Sequence, residues 1–148
     1  MDARHEAQLC TLRREDVRRH LGLLQALGAD VPGEYWGEEH FLCNLPEKWR
    51  LSFAAWSGNG LEAYAILSRK SPARAHLHHL MVAAARRGQG LGTRMVADME
   101  RRVRDLGCSH LTLKVHESND GARRFYARLG FDESERQGDY VVMGKSVV

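Results

Sequence analysis

The passage from Ala75 to Gly107 constrains this chain more than any other. A strand-like run, Ala75-His76-Leu77-His78-His79-Leu80-Met81-Val82, leads to Arg86-Arg87-Gly88-Gln89-Gly90-Leu91-Gly92, and a helix pattern follows at once. Leu91, Met95, Met99, Val103 and Leu106 recur at three- and four-residue spacing, one face of an amphipathic helix, and Gly107 ends it. Glycines between a strand and a helix let backbone N–H groups point into one concavity without Cβ obstruction. The helix N-terminus behind them adds unpaired donors and partial positive charge. Such a turn suits a phosphate or pyrophosphate. Two other phosphate loops fit less well. Gly92 is followed by Thr93 and Arg94, with no Lys for a Walker A loop. Gly88, Gly90 and Gly92 read GxGxG rather than the dinucleotide GxGxxG.

The flanking segments predict a mixed sheet. Gln8 to Arg13 reads as a short strand, and Glu15 to Leu27 as one helix through Val17, Leu21, Leu24 and Leu27. Residues 33–45 are irregular and aromatic, with room for a second short helix. Leu51–Trp56 and Leu61–Leu67 form a hairpin about Ser57-Gly58-Asn59-Gly60. His110–Val115 is an apolar strand. Ser118 or Asn119 caps a helix with Ala122, Phe125, Tyr126 and Leu129 on one stripe, and Gly130 stops it. Tyr140 to Val147 closes the order. Meandering strands followed by a βαβ passage predict an α/β fold with helices on both faces of the sheet. With 148 residues the chain makes one domain.

Composition excludes several classes. Hydrophobic residues are 43% and charged residues 28%, which suits a soluble globular protein. The longest apolar run, Leu80 to Ala85, is far short of the roughly 20 residues of a membrane helix. No apolar stretch follows the N-terminus, so no signal peptide is expected. Cys10, Cys43 and Cys108 are odd in number and far apart, which predicts reduced core thiols in a cytosolic protein and no zinc site. The net charge of +3 is unevenly spread. Asp30 to Glu47 holds five acids and no Lys or Arg, whereas Arg86 to Arg104 holds six arginines against Asp98 and Glu100. One segment suits a cation and the other an anion. The remaining arginines are interleaved with acids and lack stacking aromatics, so nucleic acid is not an expected partner.

Arg87-Gly88-Gln89-Gly90-Leu91-Gly92 resembles the R/Q-x-x-G-x-G/A signature of the GCN5-related N-acetyltransferase (GNAT) superfamily. Asn119-Asp120-Gly121-Ala122-Arg123-Arg124-Phe125-Tyr126-Ala127-Arg128-Leu129-Gly130-Phe131 is similar to that family's N-x-x-A-x-x-x-Y-x-x-x-G-F segment. The likeness covers about Leu51 to the C-terminus. It implies a six- to seven-stranded, mostly antiparallel sheet flanked by about four helices, with residues 51–148 as an acetyl-CoA-binding core and 1–50 as acceptor-side helices. The cofactor would lie where Ala75–Val82 and His110–Val115 splay. Backbone groups of Leu80, Met81 and Val82 would pair with the pantetheine arm. Those of Arg87, Gly88, Gln89, Gly90, Leu91 and Gly92, with Thr93, would hold the pyrophosphate, and Arg86, Arg87 and Arg94 would add long-range attraction.

By the same resemblance Tyr126 occupies the position of a general acid, supplying a proton as negative charge develops on the departing sulfur. Asn119 would organise the cofactor loop as a helix cap. Some family members place a basic Glu on the strand before the glycine turn. This strand has no acid, but His76 and His78 point to one side and can relay a proton through water. The run resembles the histidine pair of arylalkylamine N-acetyltransferases. His79 is expected to face the other way unless a bulge intervenes. Ribosomal-protein N-terminal acetyltransferases also resemble this C-terminal half, but carry Glu where this chain has Lys114. Glu34, Tyr35, Trp36, Glu38 and Glu39 would form an acidic, aromatic acceptor site for a cationic amine. The expected reaction is acetylation of a primary amine on a small molecule by a monomer or homodimer. The alternatives are a protein lysine or N-terminal acetyltransferase and a non-catalytic coenzyme A-binding module.

Overall fold

A computed structural model of the chain describes residues 6–31 and 36–148. In order these form β1 (Gln8–Thr11), α1 (Arg14–Arg19), α2 (Leu21–Leu27), α3 (Glu38–Leu42), α4 (Lys48–Leu51), β2 (Phe53–Ser57), β3 (Gly60–Ser71), β4 (Arg74–Val82), α5 (Leu91–Asp105), β5 (His110–His116), α6 (Asp120–Arg128), β6 (Asp132–Gln137) and β7 (Tyr140–Ser146). The strands make one seven-stranded sheet in the order β1-β2-β3-β4-β5-β7-β6. Every neighbouring pair is antiparallel except β4 and β5.

Two apolar layers sandwich the sheet. On one face Ala65, Leu67, Leu77, Leu111 and Leu113 pack with Met95, Met99 and Val103 of α5 and with Tyr126 of α6. On the other, Ala54, Tyr64, Ile66 and Met81 pack with Val17, Leu24, Phe41 and Leu42 of α1 to α3. The glycine stops behave as their chemistry requires: Gly107 and Gly130 take φ of 92° and 96°, where a Cβ would be strained.

Three local expectations change. The single helix over Glu15–Leu27 is broken at His20 into α1 and α2. His20 leaves helical dihedrals and packs its ring on Trp56 of β2, 4.9 Å between centroids, so a tertiary contact wins over propensity. α4 was not anticipated. Its Lys48 is fully buried, and its Nζ donates to the carbonyls of His40, Phe41 and Cys43 at 3.2, 2.8 and 2.7 Å, closing the carboxyl end of α3. Burial holds the Lys48 ammonium pKa below the usual lysine range. Of the three free thiols only Cys108 is in the core; Cys10 and Cys43 are exposed, because they fall on the uncovered edge strand and just after α3.

The register between β3 and β4 slips twice, at Arg69/Ser71 and at Ile66/Leu67. Leu67 pairs with Leu77, but Ile66 pairs with His79, so His78 is an extra residue. That bulge inverts the alternation of side chains along β4. Leu77 and Leu80 face the α5 layer, while Met81 faces the α1–α3 layer.

Candidate active site

The parallel ladder between β4 and β5 is short. It runs from Arg74 opposite His110 to Leu77 opposite Leu113 and stops. β4 continues to Val82 on the arm of β3, and β5 continues to His116 on the arm of β7. From His78 to Val82 the β5-facing backbone has no strand partner. A cleft of about 1250 Å³ opens there. Its walls include Leu80, Met81, Val82, Gly88, Gly90, Gly92, Thr93, Asn119 and Tyr126, together with His76 and His78. The structure thus brings most of the sequence-derived residues to one cavity.

At one end lies the glycine turn. Gly88 and Gly90 take φ of 74° and 87°, and a Cβ on either would meet nothing within 4 Å. The turn therefore needs glycine for its backbone conformation and keeps free space above it. Gly92 serves a different purpose, since a Cβ there would stand 3.2 Å from the Phe125 ring of α6. Gln89 and Leu91 do not line the cleft. The Gln89 amide donates to the Ala85 carbonyl at 2.8 Å, and Leu91 is buried in the α5 layer.

The arginines before the turn are already engaged. Arg86 pairs with the buried Glu62 of β3. Arg87 forms a two-pronged contact with Asp30, 2.6 and 3.1 Å, and its Nε donates to the Val82 carbonyl at 3.0 Å. The guanidinium holds the Asp30 carboxyl below its usual pKa. These side chains brace the turn, and their charge is locally balanced; Arg94 is the member of the trio left on an exposed helix surface without an ion pair among the described residues.

The bulge at His78 brings all three histidines to the same face. The rings of His76 and His78 meet edge to face, 5.0 Å between centroids. His76 Nδ1 lies 2.8 Å from Thr112 Oγ1, and that hydroxyl lies 3.5 Å from the Ala75 carbonyl. His78 Nε2 lies 2.6 Å from Ser68 Oγ. Burial first, then His78, Lys70, Lys114 and Arg74, depress the His76 pKa to about 3. Burial, then Lys70, Lys48 and Lys114, depress that of His78 to about 4. Both rings are neutral at neutral pH. His79 is buried and stacks on Trp36 at 4.6 Å and 14°, so it walls the cleft with an aromatic pair.

Tyr126 is buried between the edges of Phe125 and Phe131, with centroids 5.1 and 5.5 Å away. Asn119 Oδ1 accepts from the Ala122 N–H at 3.1 Å and caps α6. Of the expected acceptor residues, Trp36 lines the cleft, whereas Glu38 and Glu39 lie in the exposed first turn of α3, outside its walls. Glu34 and Tyr35 lie outside the described residues. Among the described residues no cluster of His, Cys, Asp or Glu is arranged to hold a metal ion, and no helix is long and apolar enough to cross a membrane. Sequence reading missed Thr112 and three cations, Lys70, Arg74 and Lys114, on the same wall, and the buried Ser68 beside His78. Nothing local marks Thr112: only the β4–β5 register sets it opposite His76.

Comparisons agree with this geometry. A sequence model described as the acetyltransferase (GNAT) family matches residues 19–131. The chain is 32% identical over 71 residues to the N-alpha-acetyltransferase MAK3 of Arabidopsis thaliana, a match spanning 48% of this chain and 37% of that relative. The chain therefore aligns with well under two thirds of that curated relative. The ribosomal-protein-S18-alanine N-acetyltransferase of Escherichia coli superposes with a TM-score of 0.79 at 22% identity, covering 95% of this chain and 94% of that one. Arabidopsis thaliana Naa50, solved in complex with the bisubstrate analogue CoA-Ac-MVNAL, gives 0.75 at 17% identity, covering 95% and 99%. At these identities the structures share the fold.

Proposed function

The chain belongs to the GNAT acetyltransferase family, a family of acetyl-CoA-dependent acyltransferases, and from that premise we propose that it acetylates the α-amino group of peptide or protein N-termini. This replaces the small-molecule amine favoured on sequence alone. The observation that carries it is the shape of the cleft. Beyond the histidines it continues between Lys70 and Arg74, at the β3–β4 turn, and Glu135, Gln137 and Tyr140 of the β6–β7 hairpin. Lys114, His116 and Tyr140 are exposed on that stretch of sheet. An extended chain can lie across such a surface, whereas a small amine would leave most of it unused. Two of the matched proteins are by name N-terminal acetyltransferases or bear a peptide-containing analogue.

The residues present fit a coenzyme A thioester. The unpaired β4 edge can take an extended pantetheine arm as an added strand. The amides of the glycine turn, with the α5 N-terminus behind them, suit the pyrophosphate. When bound, acetyl-CoA would supply the activated acetyl group, with coenzyme A leaving as the thiol. Tyr126, on the cleft wall, holds a proton for that departure.

His76 is the proton acceptor. The Thr112 hydroxyl reaches both the Ala75 carbonyl and His76 Nδ1. Donating to the carbonyl, it accepts from Nδ1–H, which leaves the Nε2 lone pair free. The depressed pKa keeps that lone pair unprotonated but also makes it a weak base. Such a site suits an amine that is already partly neutral. At pH 7 about a tenth of an α-amine is neutral, against roughly one in 2,500 for a lysine ε-amine.

The test is one acetyl-CoA reaction with a mixed panel read by mass spectrometry. The panel holds peptides with free N-termini, N-blocked peptides with internal lysine, arylalkylamines, polyamines, amino acids and aminoglycosides. Acetyl on the first residue of the free peptides is the expected product. Acetylation of lysine alone, or of a small amine alone, overturns the reading.

A further inference from the structure

The acceptor half of the cleft is cationic. Lys70, Arg74 and Lys114 line it, all three are exposed, and none has an ion-pair or hydrogen-bond partner among the described residues. Glu135 of β6 is the one acid among the described lining residues, and its carboxylate accepts from the Gln137 amide at 3.4 Å. Other cations of the molecule are neutralised in place. Arg86, Arg87, Arg101, Arg102, Arg123 and Lys145 all have carboxylate partners.

The placement of the three follows from register. His76 is opposite Thr112. Arg74 is two residues from His76 along β4, and Lys114 two residues from Thr112 along β5, so each stands about 7 Å from that pair on the same face. Lys70 is the residue left over where pairing shifts between Arg69 and Ser71. An extended peptide advances about 3.4 Å per residue. With its amine at His76, a peptide running one way along the sheet brings its first two or three side chains to Lys70 and Arg74, and one running the other way brings them to Lys114. The described acids of the stretch once expected to suit a cation are engaged or set apart. Asp30 is held by Arg87 and Glu47 pairs with Arg50, while Glu38 and Glu39 do not line the cleft.

We propose that Lys70, Arg74 and Lys114 form a specificity site for a carboxylate, so that this protein selects N-termini bearing Asp or Glu within the first three residues. The inference rests on the N-terminal reading above. The depressed pKa values of His76 and His78 are consistent with it, since Lys70 and Lys114 act on both rings.

The test uses the whole chain, acetyl-CoA and three peptides identical except at residues two and three: Glu-Glu, Gln-Gln and Lys-Lys. At low salt kcat/KM falls in that order, with about tenfold or more between the ends, carried mainly by KM, and the spread narrows at about 0.5 M salt. The double variant K70E/K114E raises KM for the Glu-Glu peptide and lowers it for the Lys-Lys peptide. If the variant does not fold, as a melt and coenzyme A binding would reveal, the ranking by the native chain decides alone. Equal rates on all three peptides overturn the carboxylate site and leave N-terminal acetylation standing. Acetylation of none of them, with small amines modified, overturns both.

Discussion

His76 Nδ1 lies 2.8 Å from Thr112 Oγ1, across the last but one rung before β4 and β5 part. The contact stands where the sheet stops being closed, so it fixes both the tautomer of a ring and the point where the cleft begins. Removing it should be felt in catalysis more than in folding. Thr112→Val keeps the shape and deletes the hydroxyl. It should lower kcat about tenfold, leave KM for acetyl-CoA near its original value, and cost about 1 kcal/mol of stability. Steady-state kinetics and a melt check this; an unchanged kcat would detach Thr112 from the base.

Tyr126 offers the converse. Its ring packs between Phe125 and Phe131, and Phe fills the same volume. Tyr126→Phe should lower turnover by roughly 10²–10⁴ while coenzyme A binding survives. Near-normal turnover, measured with calorimetric binding, would remove the phenol from the acid role.

Acid should destabilise this protein in a defined window. His76 has its pKa depressed to about 3, and His78 and His79 to about 4. Unfolded histidine titrates near 6.5. Between about 6.5 and 4 the unfolded chain binds more protons than the folded one, so stability falls as pH falls. A melting temperature measured from pH 7.5 to 4.5 should drop steadily, and replacing the three by Gln should flatten the slope. A level or rising melting temperature would contradict burial of neutral rings. The acidic limb that these histidines impose on turnover should likewise lie near pH 4 rather than 6.5.

The glycine turn can be tested at its two kinds of position. Gly90 has a positive φ with open space, so Gly90→Ala costs about 1–2 kcal/mol of backbone strain and distorts the anion cradle. Gly92→Ala meets Phe125 at 3.2 Å and must displace α6 or its ring. Both should weaken coenzyme A binding, read by calorimetry. A Gly92→Ala variant that binds normally would show that Phe125 gives way freely.

Much of this architecture is legible along the chain because its causes are local. The α5 stripe, the glycine stops, the Asn119 cap and the hairpin at residues 57–60 each follow from the spacing of a few neighbours. The break at His20 was not legible, because it depends on Trp56 of a strand far along the chain. The pairing of Asp30 with Arg87, 57 residues apart, was equally hidden. Charge counting assigned the first to a cation-binding face and the second to anion attraction, and the fold spends each on the other.

Sequence by itself determined the parts of this protein whose chemistry needs a particular residue type in a particular local order. These are the glycines of the strand-to-helix turn, the helix behind it, and a tyrosine helix that fits the same family. The tertiary structure alone decided which side chains meet. The slip between Ile66 and Leu67 in the β3–β4 register turns His79 to the side of His76 and His78, and the β4–β5 register sets Thr112 under His76. It also leaves Lys70, Arg74 and Lys114 without partners among the described residues on the cleft wall. Strand register is a long-range choice, settled by the sum of packing on two faces, and one residue of slip exchanges those faces. No local pattern encodes it, which is why the acceptor site had to be read from the fold.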